Sequence, residues 1–276
     1  MIELAFFSDE LGTNDLREAI RMGVEAGASG IEVRSKLFGD HCVNTVTNEE
    51  VRIIKGYLKE FNARVAVIGS GVGKCALDKP EEVALNIARF KRMTELAHMF
   101  GTNIIRGFGF WNPYWKTERR LQPDLPGIMP KLREAFGPII EHAEKEGVVL
   151  AFEPEADTNT GNCAQVREII DGLGGSKALG VAWDVNNAAH TGELPLPDGY
   201  RHIKGLVRHL HVKPDRDRSI KTVANTSVSY RQVFERLIAD GYDGPASIEH
   251  WGSPEAMLDG IRQACALLDE MGVLKR

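Results

Sequence analysis

The stretch Val148-Val149-Leu150-Ala151-Phe152-Glu153 joins an apolar run to a single polar residue, and the same design recurs three more times before the chain ends. Leu179-Gly180-Val181-Ala182-Trp183 leads to Asp184, Leu206-Val207-Arg208-His209-Leu210 to His211, and Pro245-Ala246-Ser247-Ile248 to Glu249. Most of these runs show no strict polar alternation, so they read as strands covered on both faces, the habit of parallel sheets packed under helices. A carboxylate placed where such a strand ends loses water, and the loss costs several kcal/mol unless a cation or hydrogen bonds replace it. Three carboxylates and an imidazole at four successive strand ends describe a metal site.

Outward from these runs, the whole chain alternates apolar segments with helix-period segments. Strands are expected near 2–7, 29–34, 63–69, 103–108, 148–153, 178–184, 206–212 and 245–249. Helices are expected at 15–26, 48–61, 80–99, 127–146, 229–240 and 254–271, with shorter ones near 162–172 and 198–204. Gly27, Gly101, Gly147 and Gly241 each stand between a helix and the next strand, where a left-handed residue closes the last turn. No Pro/Ser-rich linker or shift in composition divides the series, so residues 1–276 read as one domain. Eight parallel strand-helix units imply a closed (β/α)8 barrel, whose active residues sit at the C-terminal ends of the strands. All four residues above fall on that face.

Composition narrows the partners. The 276 residues, 43% hydrophobic, are ample for one large core, and a net charge of −5 without any Lys/Arg block argues against nucleic acid. Met1-Ile2-Glu3-Leu4-Ala5-Phe6-Phe7-Ser8-Asp9 has no basic lead before its apolar run, and no segment approaches the ~20 apolar residues of a membrane span. A soluble, cytoplasmic protein without a membrane partner is expected. Cys42, Cys75, Cys163 and Cys265 form no CxxC pair, which removes zinc ribbons and redox motifs and suits a reducing compartment.

The ligand types specify the ion. A set of three carboxylates and one imidazole without thiolate favours one divalent cation, Mn²⁺, Mg²⁺ or Co²⁺, with Zn²⁺ admissible. Such a set carries a formal charge of about −1 once the ion is bound. Basic groups near a substrate would then stabilise further negative charge, and Lys74, Arg106 and Lys213 follow or end strands where they could do so.

The chain resembles the xylose-isomerase-like TIM-barrel superfamily, the sugar phosphate isomerase/epimerase group. The likeness runs nearly end to end. It begins with Ser8-Asp9-Glu10-Leu11-Gly12 and Ile31-Glu32-Val33-Arg34 and continues through Ile68-Gly69-Ser70-Gly71-Val72-Gly73-Lys74 and Ile105-Arg106-Gly107-Phe108. Phe152-Glu153-Pro154-Glu155, Trp183-Asp184-Val185-Asn186-Asn187, His209-Leu210-His211-Val212-Lys213 and Ser247-Ile248-Glu249-His250 complete it in order. The resemblance implies a TIM barrel in which Glu153, Asp184, His211 and Glu249 hold one divalent cation. It further implies that Glu153 and Glu249 exchange a proton with the carbon beside a substrate carbonyl. Two departures stand out. Many members carry Gly-x-Gly in the loop after the seventh strand, where this chain reads Ser219-Ile220-Lys221-Thr222-Val223-Ala224-Asn225-Thr226-Ser227; and the best-known ketohexose epimerases place a histidine where this chain has Asn187.

The expected activity is that of a metal-dependent isomerase or epimerase of a small sugar or keto-sugar. A metal that chelates a carbonyl and the neighbouring hydroxyl stabilises an enediolate, and two carboxylates flanking the substrate serve as base and acid. A β-leaving group would turn the same site into a lyase or dehydratase acting on a keto-sugar or keto-inositol. An apurinic-site endonuclease would need extra histidines where Arg34, Gly69-Ser70 and Asn187 stand. A barrel that binds a ligand without turnover is disfavoured by the intact metal stations. Lys74, Arg106, Glu155, Asn187 and Lys213 are expected around the carbohydrate. For Arg106 a pairing with a barrel carboxylate such as Glu32 is an equal alternative, and Arg34 shares that ambiguity. Trp111 and Trp115 would form either an apolar wall over a sugar or a contact in a homo-oligomer.

Overall fold

A computed structural model describes residues 1–215, 218–224, 226–250 and 252–275. Asn225 of the glycine-free loop lies outside the described residues. The strands are β1 (Ile2–Phe7), β2 (Gly30–Val33), β3 (Arg64–Val72), β4 (Ile104–Gly107), β5 (Val149–Phe152), β6 (Leu179–Asp184), β7 (Val207–Val212), β8 (Pro245–Ile248) and a short β9 (Leu274–Lys275). Between them run α1 (Leu16–Glu25), α2 (Asn48–Glu60), α3 (Pro80–Phe100), α4 (Leu125–Glu146) and α5 (Cys163–Gly172). The later helices are α6 (Val185–His190), α7 (Tyr200–Ile203), α8 (Tyr230–Ala239) and α9 (Pro254–Glu270). Pairing runs in order from β2 to β8, and β1 joins both β8 and β2, so the sheet closes on itself as an eight-stranded parallel TIM barrel. The ninth strand pairs with the start of β1.

Local chemistry explains the boundaries. Thr47 and Ser229 each begin a helix with a capping box, answered by Glu50 and Gln232. Asp15, Asn162 and Ser253 cap α1, α5 and α9 through their side chains. Gly27, Gly101, Gly147 and Gly241 all have positive φ, as the sequence demanded of residues that turn a helix toward a strand. In the loop that lacks Gly-x-Gly, the described positive-φ positions are Arg218 and Ala224, and Ile220 and Val223 bury themselves beneath it.

Along a strand, residues two apart share a face, and here that rule makes room for the site. Ala151, Ala182 and Ser247, all fully buried, stand two residues before Glu153, Asp184 and Glu249. Small side chains below the strand ends leave space in the barrel for larger polar ones, chiefly Glu32, Arg106 and His209, which are also buried. The outer face is apolar. Phe6 packs so closely on α1 that a Cβ on Gly23 would lie 2.1 Å from its ring, and Trp183 and Tyr230 are among the largest fully buried side chains. No helix among the described residues is long and apolar enough to cross a membrane.

Candidate metal and active site

Four strand ends bring Glu153, Asp184, His211 and Glu249 together. Backbone bonds from Glu153 N to Gly107 O (2.9 Å) and from Glu249 N to Val212 O (3.1 Å) carry the sheet ladder one residue beyond β5 and β8. Asp184 and His211 are register partners on β6 and β7. One ligand atom from each of the four side chains lies within 4.8 Å of the others, and all four residues are buried. His211 Nδ1 is 3.5 Å from Glu153 Oε1, 3.7 Å from Asp184 Oδ2 and 3.6 Å from Glu249 Oε2. Atoms that share a cation at ~2.0–2.2 Å are spaced roughly 3 to 3.5 Å apart, so the donor spacing fits an ion with slight contraction.

The electrostatics of the cluster point the same way. His211 Nδ1, Asp184 Oδ2 and Glu249 Oε2 are buried without a hydrogen-bond partner among the described residues. The two carboxylate oxygens do have an ion contact: Lys213 Nζ lies 2.5 Å from Asp184 Oδ2 and 3.1 Å from Glu249 Oε2. Burial resists ionisation of Asp184, but Lys213 and His211 outweigh it and hold the carboxyl below its usual range. For Glu153, burial is opposed by Arg106 and His211, again with a lowered pKa. Burial disfavours a charged His211 ring, yet Glu32, Glu153 and Asp184 raise its pKa well above the ordinary value. Asp184 and Glu153 are thus kept ionised, as a divalent ion requires of its carboxylate ligands, whereas the proton favoured on His211 must leave when an ion binds.

Around this cluster the other expected site residues fall into two groups. Asn187 and Lys213 touch it directly. The Asn187 amide donates from Nδ2 to Glu153 Oε1 (3.2 Å) and accepts from Lys213 Nζ (3.1 Å), while its backbone N–H is capped by Asp184 Oδ1 at the start of α6. Tyr230 OH, bonded to Asn186 Oδ1 and to Lys213 N at 2.9 Å each, ties α6 to the loop after β7. Lys74 and Glu155 form a separate ion pair of 2.7 Å, with the ammonium 4.2 Å from the centre of the Phe108 ring and 5.8 Å from that of Trp111. Trp111 also helps to line a cleft of about 670 Å³ with Leu77, Pro113 and Trp115.

Arg106 pairs with barrel carboxylates, one of its two expected alternatives, with Glu153 as the nearer partner. It is 5% exposed, its Nη1 donates to Glu153 Oε2 at 3.0 Å, and its Nε lies 3.7 Å from Glu32 Oε1. Arg34 forms the corresponding link on the far side, bonding Asp9, Glu10 and, at 3.3 Å, Glu249 Oε1. His190 is exposed at the end of α6, and His250 donates its backbone N–H to Glu10 and accepts at Nδ1 from Gly252 N at 2.9 Å. Two participants carried no role in the sequence reading beyond Glu32 as a partner for Arg106. Glu32 contacts His211 Nε2 (3.2 Å) and His209 Nε2 (2.7 Å) through one oxygen, Oε2. The spacing His209-x-His211 was the available signal, since it turns both rings to the barrel interior.

Solved structures similar to this one include 3-keto-D-glucoside 4-epimerase from E. coli, at 19% identity and a TM-score of 0.73 over 98% of this chain and all of that one. A xylose isomerase-like TIM-barrel protein from Mycobacterium smegmatis, in complex with magnesium, matches at 18% identity and a TM-score of 0.71, covering 98% of this chain and 96% of its own. A probable 3-DHS dehydratase from Bacillus anthracis matches at 16% and 0.70, covering 98% and 99%. At such identities the likeness is one of fold. No curated protein matches the sequence. The family model described as xylose isomerase-like TIM barrel matches residues 20–271, which include every residue of the cluster, and the chain therefore belongs to that family.

Proposed function

We propose that the protein is a divalent-metal-dependent isomerase or epimerase of a small sugar or keto-sugar. The observation that carries this reading is the convergence of Glu153, Asp184, His211 and Glu249 into one buried donor set at the barrel mouth. When bound there, a divalent cation supplies a Lewis acid that polarises a substrate carbonyl and stabilises negative charge developing beside it. Mn²⁺, Mg²⁺ and Co²⁺ suit the oxygen-rich donors.

The chain's own residues would do the rest. Glu153, ionised and steadied by Arg106 and Asn187, takes the proton from the carbon beside the carbonyl. Glu249, protonated from solvent, would deliver that proton to the carbon from the other side, which inverts its configuration, while Glu153 gives its proton up to solvent; delivery to the neighbouring carbon gives isomerisation instead. The Asn187 amide stands beside Glu153 and Lys213 beside Glu249, where they would hold a substrate oxygen as charge builds on it. Lys74 and Glu155 offer a donor and an acceptor farther out. Their mutual 2.7 Å contact balances the Lys74 charge with a carboxylate, which suits the hydroxyl groups of an unphosphorylated sugar better than a phosphate.

The dehydratase among the similar structures supports a second reading, elimination of a β-substituent after the same proton abstraction. Solvent-deuterium exchange into a panel of keto-sugars with added Mn²⁺, read by mass, tests both. Incorporation of one deuterium beside the carbonyl is expected. Absence of exchange across the panel with Mn²⁺, Mg²⁺ and Co²⁺ would refute the proton-abstraction chemistry, and loss of water from an exchanging substrate would select the lyase.

A further inference from the structure

We infer that Glu32 is a positioning residue for the metal-binding imidazole: its carboxylate holds the His211 proton on Nε2, so that Nδ1 presents a lone pair to Glu153, Asp184 and Glu249. The inference rests on the metal reading of that cluster and goes one layer below it.

The two nitrogens of His211 face different surroundings. Nδ1 looks at three carboxylate oxygens at 3.5, 3.7 and 3.6 Å and makes a hydrogen bond to none of them. Nε2 lies 3.2 Å from Glu32 Oε2. A neutral imidazole donates from one nitrogen and accepts at the other. With the proton on Nδ1, the Nε2 lone pair would confront a buried carboxylate oxygen. With the proton on Nε2, that contact is a hydrogen bond, and Nδ1 is left as a σ-donor in the middle of the carboxylates. Carboxylates that accept the second N–H of a ligand histidine set its tautomer and raise its basicity in this way.

Glu32 is fixed well enough to do so. It is fully buried in the middle of the barrel, and the same oxygen is held by His209 Nε2 at 2.7 Å, a ring whose other nitrogen meets Pro245 O at 3.1 Å. The His211 ring is held as firmly, edge-on to Phe7 at 5.2 Å and to His209 at 4.7 Å. The simpler account, that Glu32 serves only to balance Arg106, fits less well. The guanidinium bonds Glu153 at 3.0 Å and comes no nearer than 3.7 Å to Glu32, whose Oε1 has no hydrogen-bond partner among the described residues. The short contacts of Glu32 are with the imidazoles.

Two measurements test this. Long-range ¹H–¹⁵N spectra of the wild-type protein loaded with Mg²⁺ should show His211 protonated at Nε2, with that proton shifted downfield by a carboxylate acceptor. Titration with Mn²⁺ should show that Glu32→Gln binds the ion about 10–100-fold more weakly than wild type while unfolding cooperatively. A His211 proton found on Nδ1 in the loaded protein overturns the inference, and so does a folded Glu32→Gln protein with wild-type Mn²⁺ affinity. If the variant fails to fold, the wild-type spectrum alone decides. Should wild type bind neither ion, the metal reading itself falls and this inference with it; failure of Glu32→Gln to matter while wild type binds leaves the metal reading standing.

Discussion

Arg106→Met removes a cation that reaches both carboxylate layers of the barrel, Glu153 above and Glu32 below. Arg106 is 5% exposed, its guanidinium lies 3.0 Å from Glu153 and 3.7 Å from Glu32, and Met keeps a flexible apolar stem, shorter than that of Arg, without the charge. With an effective dielectric of roughly 20, these separations correspond to attractions of about 5.5 and 4.5 kcal/mol. Much of that is offset by the desolvation of Arg106, which Met no longer suffers. What remains is the penalty of leaving buried carboxylates unpaired, about 3–5 kcal/mol when one partner of a buried pair is removed. Urea unfolding followed by circular dichroism, without metal, should register a loss of that size. Adding Glu32→Gln to the Arg106→Met background should recover part of it, because one of the two stranded charges is then gone, and a coupling above about 1 kcal/mol is expected for groups that share a network. An Arg106→Met protein within about 0.5 kcal/mol of wild type, or strict additivity of the two substitutions, would show that these charges do not act as one network.

Three further outcomes are expected. Glu153→Gln and Glu249→Gln should each retain Mn²⁺ while deuterium exchange beside the carbonyl falls by ~10²–10⁴-fold; near wild-type exchange in both would move the base outside the cluster. Mn²⁺ affinity should rise with pH, approaching about tenfold per unit below the raised pKa of His211, since an ion at Nδ1 must displace the proton that Glu153 and Asp184 favour there while the Nε2 proton stays hydrogen-bonded to Glu32; a flat titration, or a calorimetric heat independent of buffer, would contradict this. Gly73→Ala would place a Cβ 1.9 Å from Phe108 O at a residue with φ of +89°, so the β3–α3 loop must shift, with a cost of about 1–3 kcal/mol and weaker sugar binding through the displaced Lys74; unchanged urea stability and KM would remove Gly73 as the anchor of that loop.

Much of the barrel could be read from the chain because each unit declares itself locally. Four glycines with positive φ stand where helices hand over to strands, and the apolar runs are long enough to separate strand from loop. The misses have local causes too. The helix α6 escaped notice because Val185-Asn186-Asn187-Ala188-Ala189-His190 has too few apolar residues to show a helical period; it exists because Asp184 caps Asn187 N at 2.8 Å. The third strand runs on to Val72, past the expected end near residue 69. Ser70 is fully buried there, and its hydroxyl bonds the Arg106 carbonyl of the adjacent strand, a partner invisible in the local pattern. The two-residue β9 lies beyond the last helix, and only its pairing with Ile2 and Glu3 makes it a strand.

For the site, the chain discloses positions and conceals partners. A polar residue at the end of an apolar strand must face the barrel mouth, so Glu153, Asp184, His211 and Glu249 could be placed before any coordinates were known. Which groups compensate them could not, because closure of the barrel brings together residues as distant as Glu32 and His211, 179 positions apart. Arg106 illustrates the limit. Its place on β4 predicts an inward side chain, but whether the guanidinium turns up to Glu153 or down to Glu32 depends on what else occupies the layer beneath. Two imidazoles already crowd Glu32 Oε2, at 2.7 and 3.2 Å, so that carboxylate has its nearest donors without Arg106 and the guanidinium goes to Glu153. The choice is settled by His209, a residue whose only sequence signal is its two-residue spacing from a ligand. In a closed barrel, then, the second polar residue back along a site strand has as strong a claim to attention as the one at its end.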